Sequence, residues 1–146
     1  MDERNRRQTF ATNNGEQTLV LLKPDVVEKN HIGEILAMYE KSGLKIVAMK
    51  MLQMDENLAA RHYAEHIGRP YYESLVKFMT RSPIVALVLE GDDAIARVRK
   101  LNGATDPSQA EDGTIRKLFA ESKTENAVHA SDSKQNADRE IGIFFN

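Results

Sequence analysis

The sequence predicts a domain of strands alternating with helices, either an α/β fold or a split βαβ sandwich. Three observations carry that expectation. The runs QTLVLLKP (17–24) and PIVALVLEG (83–91) are continuously apolar and short, which suits strands buried on both faces. Apolar residues between them recur at helical spacing, as at Ile32, Ile35, Leu36 and Tyr39. Gly43, Gly68 and Pro70 punctuate the joins.

The first strand, 17–24, stops at Pro24. The helix that follows carries its apolar residues at i, i+3, i+4 and i+7, and Gly43 closes it. LKIVAMKMLQM (44–54) reads as a second strand, although its methionines would also suit a helix. Asp55 then caps a helix running to about His66, and a short helix through Met79 follows the Gly68–Pro70 break. After the third strand, residues 92–102 form a helix with Ile95, Val98 and Leu101 on one side. From Asn102 to about Glu125 the sequence is turn-rich and without periodicity. A loop of that length is functional or disordered. NAVHA (126–130) is the fourth strand, and Ser131 to Ser133 offer N-caps for a last helix with Ala137, Glu140 and Ile141.

The totals exclude several classes of function. The 146 residues suit one domain with a core of its own. With 41% hydrophobic and 29% charged residues, the composition is that of a soluble globular protein. A net charge of -2 provides no field for nucleic acid or anionic membrane. Zero cysteines exclude disulfides, thiolate zinc sites and a cysteine nucleophile. No run approaches the ~20 apolar residues of a membrane span. The N-terminus lacks an apolar signal region, and Asp2 and Glu3 argue against a transit peptide. Residues 1–15 are expected to be a polar flexible tail before a single domain over 16–146, and the cytoplasm is the expected location.

Ordinary phosphate-binding loops are absent. No two of the eight glycines stand two apart, and no glycine precedes a lysine, so neither G-x-G-x-x-G nor a P-loop is present. HYAEH (62–66) matches H-x-x-E-H, a zinc spacing, but a solvated helix face accounts for it more simply. Lys23 ends an apolar strand, either as a lysine reaching out to water or as a phosphate-binding cation. Tyr71 is either core or a stacking platform for a base. Arg99, Thr105 and Arg116, near the long loop, could together bind an anion.

His129 lies in the middle of the fourth strand, where a lone histidine is either a satisfied core residue or a group kept reachable for chemistry. Ala127 and Ala130 would leave space beside its ring, and a helix N-terminus follows, which favours anions. Glu140 could return from the last helix to hold one ring nitrogen and leave the other free to attack.

Taken in order, TLVLLKPD, HYAEHIGRPYYESLVKFMT, NGATDPSQAEDGTIR, NAVHASDS and ADREIGIFF resemble the nucleoside diphosphate kinase family over residues 17–145. The resemblance implies a ferredoxin-like α+β sandwich, a four-stranded antiparallel sheet covered by helices. It implies transfer of the γ-phosphoryl group from nucleoside triphosphates to nucleoside diphosphates, by ping-pong through a phosphohistidine at His129 and with Mg2+ on the nucleotide. By resemblance, Lys23 contacts the moving phosphate, Tyr63 stands beside the histidine, and Glu140 and Ser131 support it. Tyr71 and Leu75 hold the base. Arg99, Thr105 and Arg116 hold phosphates, Asn126 the sugar, and Asp132 orders water around the metal. A homo-oligomer, tetramer or hexamer, is expected, with no role for membrane or nucleic acid.

The sequence departs from the family pattern at His129-Ala130-Ser131, where the family has His-Gly-Ser. It also departs at Thr124-Glu125-Asn126 for Gly-Arg-Asn, and at Lys123 for an apolar residue.

Overall fold

A computed structural model of the chain describes residues 15–145. The expected tail, apart from Gly15, and Asn146 lie outside the described residues. Four strands form one antiparallel sheet: β1 Glu16–Leu22, β2 Lys45–Leu52, β3 Ile84–Gly91 and β4 Val128–Ala130, in the order β2-β3-β1-β4. This is the ferredoxin-like α+β sandwich.

The two apolar runs occupy the centre of the sheet because both of their faces are covered. Alternate residues divide between two cores. Val20, Leu22, Val85, Leu87 and Leu89 pack against α2 (Ile32–Lys41) and α5 (Ala94–Asn102) through Ile35, Tyr39, Ala94 and Val98. Leu19, Leu21, Ile84, Ala86 and Val88 pack against α3 (Glu56–His62), α4 (Tyr72–Met79) and α7 (Lys134–Phe145), through Ala59, Phe78, Met79, Ile141 and Phe144. Each fully buried aliphatic side chain contributes ~1.5–3 kcal/mol. The methionine-rich segment is a strand, and it sits at the sheet edge with Met49 and Met51 55% and 58% exposed.

Several expectations need correction. Residues 102–125 contain a 3-10 turn, Pro107–Gln109, and a helix α6, Ile115–Phe119. The Thr114 hydroxyl accepts from Lys117 N and caps α6, while Ile115 is fully buried beneath it. Five residues are too few to register as a periodic pattern. Pro24 opens a helix as well as ending β1: α1 is Pro24–Glu28, with proline where its missing N–H is harmless. The helix expected to reach His66 ends at His62 and continues as a 3-10 turn, Ala64–His66. β4 is three residues long, because Ala127 has φ +75° and leaves extended geometry.

The chain turns into the α5–α6 connection at Gly103, whose φ is +86°. A Cβ there would lie 2.6 Å from Thr114 Oγ1 and 2.7 Å from Thr114 Cβ. Gly113 has a similar φ of +85° but nothing within 4 Å of its Cβ position. Gly103→Ala is expected to cost roughly 2 kcal/mol or more, from the left-handed backbone and the clash together. That lowers Tm by about 4–8 °C in thermal denaturation, and Gly113→Ala lowers it by less.

Candidate active site

β4 and the residues before it are held by backbone and side-chain bonds together. Lys23 N donates to Ala127 O at 2.9 Å, and Asp25 Oδ2 accepts from Ala127 N at 3.0 Å. Lys23 Nζ donates to Asn126 Oδ1 at 2.8 Å. The Arg116 guanidinium donates to three backbone carbonyls, of Gly103 (2.7 Å), Asn126 (3.3 Å) and Val128 (2.7 Å). These bonds clasp Lys23-Pro24-Asp25 to Asn126-Ala127 and fix the left-handed kink before His129. Burial raises the pKa of Asp25 above the usual carboxylate range. Its bond from Ala127 and the nearby lysines work the other way.

β4 pairs with β1, so that His129 lies opposite Leu21 and faces α3 and α7. Ala127 and Ala130 belong to the core on the other face of the sheet. Ala127 therefore does not open space beside the ring, contrary to expectation, while Ala130 also lines the cleft onto which the ring opens. His129 Nε2 is 3.0 Å from Glu140 Oε1, and Ser131 Oγ donates to the same oxygen at 2.7 Å. Burial disfavours the Glu140 charge, but the His129 and Ser131 hydrogen bonds outweigh it and hold the carboxyl below its usual pKa. An ionised carboxylate only accepts hydrogen bonds, so Nε2 carries the proton and Nδ1 keeps its lone pair. A lone pair on a partly exposed imidazole oriented by a carboxylate is a nucleophile.

The histidine opens onto a cleft of about 670 Å³. Lys23, Asn126 and Arg116 form its inner wall, and Arg99 and Thr105 stand exposed above them. Tyr71, 49% exposed, and half-buried Leu75 line the mouth. Asp132 is exposed on the rim and accepts from Asn136 Nδ2 at 2.6 Å, a bond that keeps its carboxyl below the usual pKa. Ser131 is fully buried beneath Glu140. Tyr63 lines the cleft with its hydroxyl buried and without a hydrogen-bond partner among the described residues. Its ring packs against His62, 4.4 Å between centroids. The structure thus brings the expected site residues to one cleft, with Ser131 directly behind it.

Sequence reading missed three groups. Asp25 acts through the clasp. Arg139 donates from α7 to the carbonyls of Arg61 and His62 and lines the cleft. His62 does not lie on a solvated face. It is 5% exposed, and its ring stands perpendicular to that of His129 at 4.8 Å. The HYAEH spacing drew attention to it but suggested His66 as the companion. His66 instead bonds the Tyr71 hydroxyl through Nδ1.

A family model described as nucleoside diphosphate kinase matches residues 16–146. The chain belongs to the nucleoside diphosphate kinase family. A nucleoside diphosphate kinase of Clostridium perfringens is 57% identical over 130 residues, 89% of this chain and 91% of that relative. One of Listeria monocytogenes is 53% identical over 89% of this chain and 88% of its own length. The solved Aquifex aeolicus nucleoside diphosphate kinase superposes with a TM-score of 0.87 at 42% identity, covering 90% of this chain and 95% of its own. The Halobacterium salinarum enzyme, solved in complex with CDP, gives 0.87 at 43% identity, covering 90% and 88%. The chain is a phosphotransferase of this family.

In this member of the nucleoside diphosphate kinase family, Lys23 is 8% exposed, and burial, aided by the Arg116 charge and opposed by Asp25, pushes its pKa down to about 8. A lysine is cationic below its pKa, so the charge is lost as pH rises through about 8. In the free enzyme kcat/KM is expected to fall above that pH, with the limb moved to higher pH in Lys23→Arg. The linkage has the corresponding sign. The folded pKa lies below the unfolded value, so the burial penalty is full below pH 8 and relaxes as pH rises toward 10.5. Lys23→Met is expected to raise stability at pH 7, by up to about 3 kcal/mol in urea titrations, while lowering activity.

Proposed function

We propose that the chain moves the γ-phosphoryl group of a nucleoside triphosphate to a nucleoside diphosphate in two half-reactions, with His129 Nδ1 as the intermediate acceptor. The observation that carries this is the His129–Glu140 pair opening onto a cleft lined by five cationic side chains, Lys23, Arg99, Arg116, Lys123 and Arg139. Phosphoryl transfer needs alignment and charge neutralisation above all. Nδ1 attacks phosphorus, the nucleoside diphosphate leaves, and Glu140 stabilises the positive charge on the ring. A second diphosphate then takes the group by the reverse step. Lys23 stands beside the attacking ring, and Arg99 and Thr105 are free to meet phosphate oxygens. Three of the five N–H groups of Arg116 are engaged by carbonyls. The remaining two are available to a phosphate, so this arginine both fixes β4 and binds.

Tyr71 offers an exposed face for stacking, which does not discriminate among bases, and Leu75 lies beside it. Asn126 is the candidate sugar contact, although its side chain is engaged by Lys23. Ser131 holds Glu140, and Tyr63 closes the wall near the two histidines. The Halobacterium structure with CDP supports a nucleotide ligand.

The cleft suits Mg2+ carried by the nucleotide: Asp132 is an ionised carboxylate on its rim, and Mg2+ keeps several waters and binds through one or two carboxylates and phosphates. When bound, Mg2+ neutralises phosphate charge. We further infer that residues 16–146 act as a single domain in the cytoplasm, as a tetramer or hexamer. The edge position of β2, with Met49 and Met51 exposed, supports association.

Steady-state exchange assays test the reading. Parallel double-reciprocal plots are expected, with no exchange in His129→Ala. Tyr71→Ala should weaken every nucleotide alike, by ~1–3 kcal/mol in binding. Exchange retained in His129→Ala would contradict the proposal.

A further inference from the structure

His62 takes no part in that chemistry, yet it is the most unusual side chain beside it. Both of its ring nitrogens are buried, and neither has a hydrogen-bond partner among the described residues. A neutral imidazole has one N–H and one lone pair, and burying both without partners is unfavourable unless something else occupies the lone pair. The ring faces His129 and Glu140, and ligand atoms of the three side chains lie within 4.8 Å of one another.

Two imidazoles and one carboxylate are a donor set that Zn2+ uses with its fourth position open. Tetrahedral Zn2+ with bonds of about 2.0–2.1 Å holds its ligand atoms roughly 3.3 Å apart. His129 Nε2 and Glu140 Oε1, 3.0 Å apart, are already near that separation. Closing the remaining distance requires the His62 ring to turn toward them. Hard Mg2+ prefers oxygen ligands and does not compete for this nitrogen-rich set.

We propose that His62, His129 and Glu140 form a Zn2+ site that switches off the nucleophile. A neutral imidazole has a single in-plane lone pair. If Zn2+ takes Nε2, the proton moves to Nδ1 and removes the attacking lone pair. If Zn2+ takes Nδ1, it occupies that lone pair directly. In both cases the metal and the incoming phosphoryl group compete for the same electrons. The site itself stands on geometry. The switching role rests on His129 being the phosphoryl acceptor.

The test titrates the full chain, free of nucleotide, with Zn2+ against a chromophoric chelator, while 15N NMR follows the imidazoles. One Zn2+ per chain is expected, shifting the His62 and His129 resonances and leaving His31 and His66 unmoved. His62→Gln should bind Zn2+ more weakly by at least the roughly 10–100-fold lost on changing outer-shell groups. Glu140→Gln serves the same purpose if His62→Gln fails to fold. No Zn2+ binding, shifts at His31 or His66 alone, or unchanged affinity in a folded variant would overturn the site. In a second arm, chain preloaded with Zn2+ is exposed to ATP and Mg2+. Wild type should gain no phosphoryl group by mass, and His62→Gln at the same free Zn2+ should gain one. Phosphorylation of the Zn2+-loaded wild type overturns the switching role. If the Zn2+-free chain gains none either, the acceptor reading fails with it, and the chelator titration still decides the site.

Discussion

The clasp between Lys23-Pro24-Asp25 and Asn126-Ala127 is the constraint on which the site depends. A three-residue edge strand has few ladder bonds of its own and would slip or fray. Here the residue before it, Ala127, is gripped on both sides, its N–H by Asp25 and its carbonyl by Lys23 N. That grip holds Ala127 at a positive φ that a non-glycine residue adopts only when its surroundings impose it. The kink sets the register Leu21 opposite His129, and the register decides which face the imidazole takes. A slip of one residue would exchange His129 for Val128 or Ala130 and bury the imidazole in the wrong core.

The same contacts tie stability to chemistry. The Lys23 ammonium is desolvated near Arg116, a cost to the fold that burial imposes and Asn126 only partly offsets. Arg116 spends its fork on backbone carbonyls, so one residue both braces β4 and leaves N–H groups toward the cleft. Glu140 is buried but kept ionised by two donors, and an ionised Glu140 is what assigns the proton on His129. A protein optimised for stability alone would replace these groups with apolar ones.

Much of this was legible in the sequence. The central strands announced themselves because burial on both faces leaves continuous apolar runs. NAVHASDS with Glu140 downstream pointed to the histidine, its carboxylate partner and the next helix, and the structure brings those two side chains into hydrogen-bond contact. The remainder required the fold. Asp25 meets Ala127 across 102 positions of sequence, and no local pattern encodes that distance. The expected HYAEH pair assumed one continuous helix. The helix ends at His62, the following 3-10 turn changes the spacing, and His62 turns inward toward His129. Helix α6 escaped notice because capping by Thr114 and burial of Ile115 stabilise it, not an amphipathic repeat. Ala127, two residues before His129, would share its face in a regular strand, and the positive φ at Ala127 breaks that alternation.

The most direct test of the account is the intact mass of the chain after brief exposure to ATP and Mg2+ without an acceptor. The sample is kept alkaline because phosphohistidine is acid-labile. The account predicts one added phosphoryl group, located on His129, removed by any nucleoside diphosphate and absent in His129→Ala. An unchanged mass in a sample that still binds nucleotide, or a phosphoryl group that persists in His129→Ala, would contradict it.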